Sequence, residues 1–317
     1  MKLVYLGSGP FGLPALDAIK RSRHQLTLVV TQPAKPAGRG RTTKPTAVAQ
    51  WASENGIPCL ETANINDEAS FTRIKAENAD LIVVIAFGQK IGNPLIELPP
   101  KGMINVHGSL VPHYRGAGPI NWPIINGDKQ TGISIITVVE KMDAGDMIAS
   151  ADTDIGELET AGELYDRLAE LSAPVLIKAI DQIEAGTAAY TPQDDSKATK
   201  APKLKKEHGF LDFSKPADHL QCLIRGLAPW PGAVAVYHSE KTGKSCPVTI
   251  GRARVVPNEN PQNLPPGTLD DDLNIICGEN SLEILEIKPA GSPMMDFKSF
   301  VNGRQTKPGD TFTRIEQ

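Results

Sequence analysis

An amide, an imidazole and a carboxylate stand at points where the sequence predicts that strands end. Asn105 and His107 lie two residues apart at the end of an apolar segment, and Asp143 lies on a glycine-containing turn after another apolar segment. Side chains two apart on a strand project to the same side. Asparagine can donate a hydrogen bond to an oxyanion, and histidine can donate one or carry a proton. If the turn lies beside the pair, the three groups suit attack by an amine on a carbonyl.

The segment after His107 is rich in glycine and proline, which predicts a loop that turns repeatedly. Ligands of open α/β sheets bind outside the carboxyl ends of the strands, where this loop begins. A simpler interpretation stays open for each polar group. Asn105 and His107 could satisfy backbone groups of the loop, and Asp143 could be an ordinary turn residue.

The elements that must position these groups follow a βαβα rhythm in the first half of the chain. Short apolar runs alternate with segments whose apolar residues recur at helical spacing. Strands are predicted at residues 3–6, 26–30, 57–60, 81–86, 103–106 and 132–139. Helices are predicted at residues 11–21, 45–54 and 67–77, with a loop at residues 31–43. The pattern predicts a Rossmann-like, mostly parallel α/β sheet covered by helices on both faces.

The second half of the chain has a different order of predicted elements. Thr160 and Glu163 form a capping box that opens a long amphipathic helix, and Gly186 ends it. A lysine-rich segment follows. Beyond it come a helix at residues 216–227 and short strands at 233–237, 248–256, 273–277 and 282–287, which predict a smaller β-barrel of the OB type. We therefore expect a catalytic domain at residues 1–190, a linker at 191–208 and a barrel domain at 209–317.

The first glycines form a G-x-G-x-x-G sequence between the first strand and the first helix, at Gly7, Gly9 and Gly12. This is the context of a dinucleotide-binding turn. That site also needs an acidic residue near the end of the second strand, where this chain has Thr31 and Gln32 followed by basic residues. An arginine could instead accept the 2′-phosphate of NADP. We favour a turn that packs the first helix on the sheet.

Positive charge is concentrated in one stretch of an acidic protein. The net charge is −4, yet no acidic residue occurs between Asp17 and Glu54, which enclose seven Lys and Arg residues. Lys35, Arg39 and Arg41 lie in the Gly/Pro-rich loop at residues 31–43, where folding does not require charge. The asymmetry favours an anionic partner over a solvated basic face.

Composition excludes several classes of protein. With 40% hydrophobic and 22% charged residues, the chain is too apolar for a disordered protein and has no apolar run long enough for a membrane span. Four cysteines are scattered and six histidines lack metal-ligand spacing, so we expect no catalytic metal. A reducing, cytoplasmic compartment is the simplest expectation.

Several motifs together resemble the folate-dependent formyltransferases. The segment Asn105-Val106-His107-Gly108-Ser109-Leu110-Val111-Pro112 looks like their signature, and Met142-Asp143-Ala144-Gly145-Asp146 matches their aspartate-containing turn. The loop at residues 31–43 is similar to the acceptor-stem loop of the members that formylate a tRNA. Val111, His113 and Gly118 depart from the usual residues of the family, without removing a group assigned to catalysis.

The resemblance implies transfer of a formyl group from 10-formyltetrahydrofolate to the α-amine of methionyl initiator tRNA. Asn105 and His107 are then expected to polarise the formyl oxygen, and Asp143 to orient His107 and help remove the proton of the attacking ammonium. The resemblance places Ser109, Leu110, Val111 and Pro112 in the folate site. It implies tRNA binding by the basic loop and the lysine-rich linker. We expect a monomer.

Two other hypotheses stay open at this stage. The glycine-rich turn could serve an NADP-dependent oxidoreductase, and the barrel could belong to a non-catalytic tRNA-binding protein, since small barrels commonly bind nucleic acid. The first predicts nicotinamide binding without formyl transfer. The second predicts tRNA binding that survives the loss of His107.

Arg39 lies at the centre of the basic loop and offers the first prediction. We expect Arg39→Ala to change the free energy of unfolding by less than about 0.5 kcal/mol, as for an exposed side chain. The same change should weaken tRNA binding and reduce the salt dependence of kcat/KM. The variant loses one phosphate contact, so fewer counterions are released when the tRNA binds. Affinity for 10-formyltetrahydrofolate is the control and should hardly change. Kinetics with tRNA that equal the wild type at every salt concentration would contradict the assignment.

Overall fold

A computed structural model describes residues 1–37, 42–258 and 263–316. The chain divides into two compact units whose segments interleave along the sequence. The first unit comprises residues 1–119, 131–153 and 165–201, and the second comprises 120–130, 154–164 and 202–317. The expected domain boundaries, with a linker at residues 191–208, stay a prediction.

Strands and helices alternate through the first two hundred residues. The strands up to residue 201 are β1 Lys2–Gly7, β2 Gln25–Thr31, β3 Lys35–Ala37, β4 Thr42–Lys44, β5 Cys59–Glu61, β6 Leu81–Ile85, β7 Met103–His107, β8 Arg115–Gly116, β9 Gln130–Thr137, β10 Met147–Asp154 and β11 Lys200–Ala201. The helices of the chain are α1 Leu13–Arg21, α2 Ala47–Glu54, α3 Glu68–Lys75, α4 Asn93–Ile96, α5 Asn121–Ile125, α6 Ala161–Ala185, α7 Ala217–Leu227 and α8 Phe297–Arg304. Among the helices described, none is long and apolar enough to cross a membrane.

The large sheet has seven strands in the order β10-β9-β7-β6-β1-β2-β5. The strands from β7 to β5 in this order pair in parallel, whereas β9 pairs with β7 in the antiparallel sense. Every residue of β6 is buried, as expected for a continuous apolar strand covered on both faces. The mostly parallel α/β sheet inferred from the sequence is confirmed.

Local sequence signals explain where the helices begin. The Thr46 side chain accepts a hydrogen bond from the backbone N–H of Ala49 and caps α2. The Asp67 carboxylate accepts one from the Ser70 N–H and caps α3, and this bond lowers the pKa of Asp67. The capping box at the start of α6 is confirmed, because the Thr160 hydroxyl accepts from the Glu163 N–H while the Glu163 carboxylate accepts from the Thr160 N–H.

Two of the glycines of the G-x-G-x-x-G sequence make room for a buried tyrosine. Tyr5 on β1 is fully buried, and a Cβ atom built on Gly7 or Gly12 would lie 2.5 Å or 1.7 Å from its hydroxyl oxygen. A Cβ on Gly9 would meet nothing closer than the Tyr165 hydroxyl at 3.7 Å. The packing of Tyr5 therefore accounts for the motif without a dinucleotide, which supports the turn favoured from the sequence.

The structure departs from the sequence expectations in several places. Part of the loop expected at residues 31–43 is a hairpin, because β3 and β4 pair in the antiparallel sense. Arg39 and Arg41 lie outside the described residues, as do the side chains of β3. Strand β10 and the short helices α4 and α5 were not predicted, since their few apolar residues show neither a clear period of two nor one of 3.6.

The second unit contains a curled antiparallel sheet. Its strands are β12 Ala233–His238, β13 Ser245–Val256, β14 Ile275–Ile276, β15 Ser281–Pro289, β16 Met295–Asp296 and β17 Thr311–Thr313. They follow the order β14-β15-β13-β12-β17, and β16 pairs with β15. Isolated bridges from Thr268 to Thr311 and from Leu269 to Ile275 connect the two outer strands of this order. The sheet is thus a nearly closed barrel, as expected from the sequence.

The barrel has an aromatic core with one buried carboxylate. The Tyr237 ring packs against Phe300 and Phe312, with ring centroids 5.1 Å and 5.3 Å away. The Tyr237 hydroxyl donates to Asp310, which is only 1% exposed and also accepts the backbone N–H groups of Glu240 and Lys307. Several donors therefore compensate the desolvation of this charge.

The glycine-rich turn yields a stability prediction. Gly12→Ala should destabilise the protein by about 1–3 kcal/mol, because the added methyl group overlaps the Tyr5 hydroxyl. Gly9→Ala is the matched control in the same turn and should change stability by less than about 0.5 kcal/mol, since its backbone is not left-handed and its new Cβ makes ordinary contacts. Denaturant unfolding measures both. Equal effects of the two substitutions would contradict the packing account.

Candidate active site

The strand β7 carries the first two predicted site residues to one edge of the large sheet. It lies between β6 and β9, so its backbone is hydrogen-bonded on both sides. Asn105 and His107 are at its carboxyl end, two residues apart. Asn105 is half-buried, and His107 is 4% exposed. A rigid central strand therefore fixes the backbone of both.

The imidazole of His107 has different neighbours at its two nitrogens. Nε2 lies 3.0 Å from the carbonyl oxygen of Tyr114. Because a carbonyl can only accept, Nε2 carries the hydrogen. Nδ1 lies 3.7 Å from Oδ1 of Asp143, which is beyond hydrogen-bonding distance but within the range of an ion pair when the ring is protonated. The structure thus brings His107 and Asp143 together.

Asp143 occupies the turn between β9 and β10 in a left-handed conformation, with φ +53°. Aspartate is one of the few residues with a side chain that enters this region readily. Its Oδ2 accepts a hydrogen bond of 2.9 Å from the Gly116 N–H, and its side chain is 14% exposed. Gly145 approaches the strand so closely that a Cβ there would lie 1.8 Å from the Thr137 carbonyl oxygen. The turn is therefore folded tightly back on β9.

The half-buried amide of Asn105 lacks the hydrogen bonds that buried polar groups usually make. Within residues 1–37, 42–258 and 263–316, it has no hydrogen-bond partner. The same is true of Nδ1 of His107 by the usual distance limit. A donor amide and one imidazole nitrogen are thus available to a bound molecule beside a carboxylate. This set can stabilise negative charge on an oxygen and exchange a proton.

The predicted folate-site segment, Ser109 to Pro112, forms a tight loop after β7. The Ser109 hydroxyl donates to the His113 carbonyl oxygen at 2.8 Å, and the Val111–Pro112 peptide is cis. Ser109 is fully buried and Val111 is 9% exposed, whereas Leu110 and Pro112 are half-buried. The Ser109 hydroxyl is therefore already used in shaping the loop.

A serine that sequence reasoning missed holds this loop to the sheet. Ser134 on β9 is fully buried, and its hydroxyl donates to the Ser109 carbonyl oxygen at 2.8 Å and accepts the Val111 N–H at 3.1 Å. Its sequence context was a usable signal, because Ser134 is the one polar residue in an otherwise apolar run from Ile133 to Ile136.

The segment expected to be a linker is partly built into the site. Strand β11 pairs in parallel with β8, and the Arg115 N–H donates to the Thr199 carbonyl oxygen at 2.9 Å. The Thr199 hydroxyl also accepts the Tyr114 N–H at 2.8 Å. Residues 199–201 thus support the loop that holds His107, a role for which composition gave no signal.

The basic hairpin is anchored at its base. The backbones of Lys35 and Lys44 are paired in the β3–β4 hairpin. Just before β3, the Gln32 side chain donates to the Phe87 carbonyl oxygen at 2.8 Å, and the Gln32 N–H donates to the Ser8 hydroxyl at 3.1 Å. The base of the hairpin is therefore fixed to the ends of the sheet strands.

One cluster of potential metal ligands occurs in the described part of the chain, away from these residues. His24, Asp181 and Glu184 have ligand atoms within 4.8 Å of one another. The Met1 amino group lies 3.0 Å from Glu184, and Arg23 lies 2.8 Å from Asp181 and 2.6 Å from Glu184. These cations already offset the two carboxylates, so the cluster gives no reason to revise the expectation that catalysis uses no metal.

Comparison with known proteins gives consistent matches over nearly the whole chain. Residues 1–180 match the family model described as formyl transferase, and residues 203–305 match the model of the formyl transferase C-terminal domain. The chain is 38% identical to the methionyl-tRNA formyltransferase of Agathobacter rectalis, over 99% of this chain and 100% of the relative. It is 39% identical to that of Alkaliphilus oremlandii, over 98% of this chain and 99% of the relative.

Solved structures with similar folds are more distant in sequence. The N-formyltransferase of Helicobacter canadensis, solved with folinic acid and dTDP-3-aminofucose, superimposes with a TM-score of 0.64 at 15% identity. The match covers 90% of this chain and 98% of that one. At this identity, the similarity establishes the fold.

Ser134 provides a prediction about the loop that follows β7. Ser134→Ala should lower the free energy of unfolding by about 1–3 kcal/mol, because it leaves a buried carbonyl and a buried N–H without their partner. Thr131→Val on the same strand is the matched control. The Thr131 hydroxyl is buried and has no partner in the described part of the chain, so its loss should cost no more than about 0.5 kcal/mol. Urea unfolding would contradict the account if Ser134→Ala proved as mild as the control.

Proposed function

The chain belongs to the formyl transferase family, and we propose that it transfers the formyl group of 10-formyltetrahydrofolate to the α-amino group of methionyl initiator tRNA. The observation that carries the proposal is the 38–39% identity to methionyl-tRNA formyltransferases over nearly the full length of both chains. The arrangement of an amide, an imidazole and a carboxylate at the end of β7 is chemically suited to this reaction.

The first step is attack of the α-amine on the formyl carbon, which forms a carbon–nitrogen bond and places negative charge on the formyl oxygen. We assign Asn105 to donate a hydrogen bond to this oxygen, because its amide has no partner in the described structure. We also assign Nδ1 of His107 to donate a hydrogen bond to this oxygen when the ring is protonated. Nδ1 is the nitrogen available, because Nε2 already donates to the Tyr114 carbonyl oxygen. Both donors sit on a rigid strand and need little reorganisation.

Proton transfer completes the reaction. The attacking amine enters as an ammonium and must lose a proton before it attacks, and nitrogen 10 of the folate must gain a proton when its bond to the formyl carbon breaks. We assign Asp143, together with His107, to this exchange. The 3.7 Å separation of Asp143 Oδ1 and His107 Nδ1 supports the assignment, because the carboxylate stabilises an imidazolium at that distance.

The folate is assigned to the loop of Ser109, Leu110, Val111 and Pro112, beside the catalytic groups. Half-buried Leu110 and Pro112 offer apolar surface to a flat ring system. Because the Ser109 hydroxyl is bonded to His113, we assign it to shaping the loop rather than to a direct contact.

The tRNA is assigned to the basic hairpin with Lys35, Arg39 and Arg41 and to the lysine-rich segment near residues 197–206. The excess of Lys and Arg, with no acidic residue between Asp17 and Glu54, supports an anionic partner such as phosphate. We further propose that residues 209–317 form a tRNA-binding barrel, and that the protein is a cytoplasmic monomer.

A direct assay tests the function. The purified protein is incubated with 10-formyltetrahydrofolate labelled in its formyl group and with charged initiator tRNA. Label is expected on the methionine amine, with no requirement for a nicotinamide. Failure of the wild-type protein to transfer label would overturn the proposal, and tRNA binding without transfer would favour a binding protein.

Asn105→Ala tests the oxyanion assignment. We expect kcat to fall by roughly 10²–10³-fold, because a donor to the developing oxyanion is lost. Folate affinity should change much less, since the amide is assigned to the transition state. Asn302→Ala, at an exposed position of α8, is the control and should leave kcat unchanged. Turnover equal to the wild type in Asn105→Ala would contradict the assignment.

A further inference from the structure

Arg115 stands between the two residues whose backbone holds the catalytic pair. The carbonyl of Tyr114, just before it, accepts the Nε2–H of His107, and the N–H of Gly116, just after it, donates to Oδ2 of Asp143. The backbone position of Arg115 therefore affects both the imidazole and the carboxylate at once.

The side chain of Arg115 is bound to a glutamine from a distant part of the chain. Its Nε and Nη2 donate to Oε1 of Gln193 at 3.0 Å and 2.7 Å. The Nε2 of Gln193 donates in turn to the carbonyl oxygens of Asp143 and Gly145 at 2.9 Å and 2.7 Å. A primary amide has two hydrogens to donate and two lone pairs, and here all four are used. The orientation of the amide is fixed, because guanidinium can only donate and carbonyls can only accept.

This bridge is a second link between two loops that the hydrogen bond from Gly116 to Asp143 already joins. The Asp143 turn has exposed residues just before it, including Met142, which is 69% exposed. Apolar packing therefore does not secure the turn, and Asp143 itself has a left-handed backbone. Hydrogen bonds between Thr137 and Asp146 hold the base of the turn on β9. The bonds of Gln193 to the carbonyls of Asp143 and Gly145 tie the residues around Asp143 to Arg115.

From this network we propose that Arg115 and Gln193 are positioning residues that set the separation of His107 and Asp143. The inference rests on the proposed function, since it gives these residues a role in the same reaction. Neither touches the reacting atoms. They act by holding the Tyr114–Gly116 segment and the Asp143 turn in one fixed arrangement.

An ion pair on the outer side of Arg115 provides the contrast. Asp195 is 61% exposed and lies 2.8 Å from Nη1 of Arg115, and it also pairs with Lys141. The Lys141 ammonium and the Arg115 guanidinium hold the pKa of Asp195 below its usual value. Because the Asp195 carboxylate is well exposed, solvent weakens its ion pairs, although the Arg115 side chain is only 10% exposed. Asp195→Asn is therefore the matched control, because it alters the same network without touching the bridge to Asp143.

Steady-state kinetics provide the first test. Gln193→Ala should lower kcat by about 10²-fold through misalignment of the catalytic pair, while KM for folate and tRNA stays close to the wild type. Gln193→Glu keeps the acceptor for Arg115 but loses both donors to the turn, so it should be equally impaired. Adding Arg115→Ala to Gln193→Ala should cause little further loss if the two act as a unit. Asp195→Asn should retain kcat.

The state of His107 provides a second readout that a loss of stability alone would not move. In protein labelled with ¹⁵N-histidine, the ring nitrogens of His107 should shift in Gln193→Ala and Gln193→Glu but not in Asp195→Asn. Unchanged kcat and unchanged His107 resonances in the Gln193 variants would overturn the inference while wild-type formyl transfer stands. If the wild type itself transfers no formyl group, the proposed function fails, and the His107 resonances still decide whether the bridge positions the ring.

Discussion

A buried imidazole at the end of a strand needs polar partners that its own strand cannot supply. The backbone of β7 is already paired with β6 and β9, so both neighbours of the His107 ring come from loops. The Tyr114 carbonyl satisfies Nε2, and the Asp143 carboxylate faces Nδ1. An imidazole that is 4% exposed and lacked these neighbours would be costly to bury. The positions of the Tyr114 segment and of the Asp143 turn meet this requirement.

Those loops are held by hydrogen bonds between segments that are far apart in sequence. Ser134 on β9 fixes the loop that begins at Ser109, and Thr199 fixes the segment that contains Tyr114. Gln193 fixes the turn of Asp143 across fifty residues. Hydrogen bonds have strict geometry, so such a network can define positions more narrowly than apolar contacts between mobile surface loops. The site is therefore a rigid strand end surrounded by loops that are individually tied in place.

The glycine-rich turn after β1 illustrates how one sequence pattern can have two physical causes. A dinucleotide site uses such glycines to bring phosphates close to the backbone. Here Gly7 and Gly12 leave space for the ring of Tyr5, whose hydroxyl would otherwise overlap their Cβ atoms. The pattern alone could not separate these causes, because it does not show which side chain fills the space beside the glycines.

The sequence by itself determined the alternation of strands and helices, the barrel that follows, and the position of Asn105 and His107 at a strand end. These features depend on short-range periodicity and on apolar runs, and both can be read from residues that are close together in the chain. The motifs around His107 and Asp143 also indicated the family. Only the tertiary structure decided that Asp143 faces His107, that the supposed linker pairs with the site loop, and that Gln193 bridges the two. Such contacts join residues tens of positions apart through single hydrogen bonds. No local sequence pattern predicts which distant partner each group will contact.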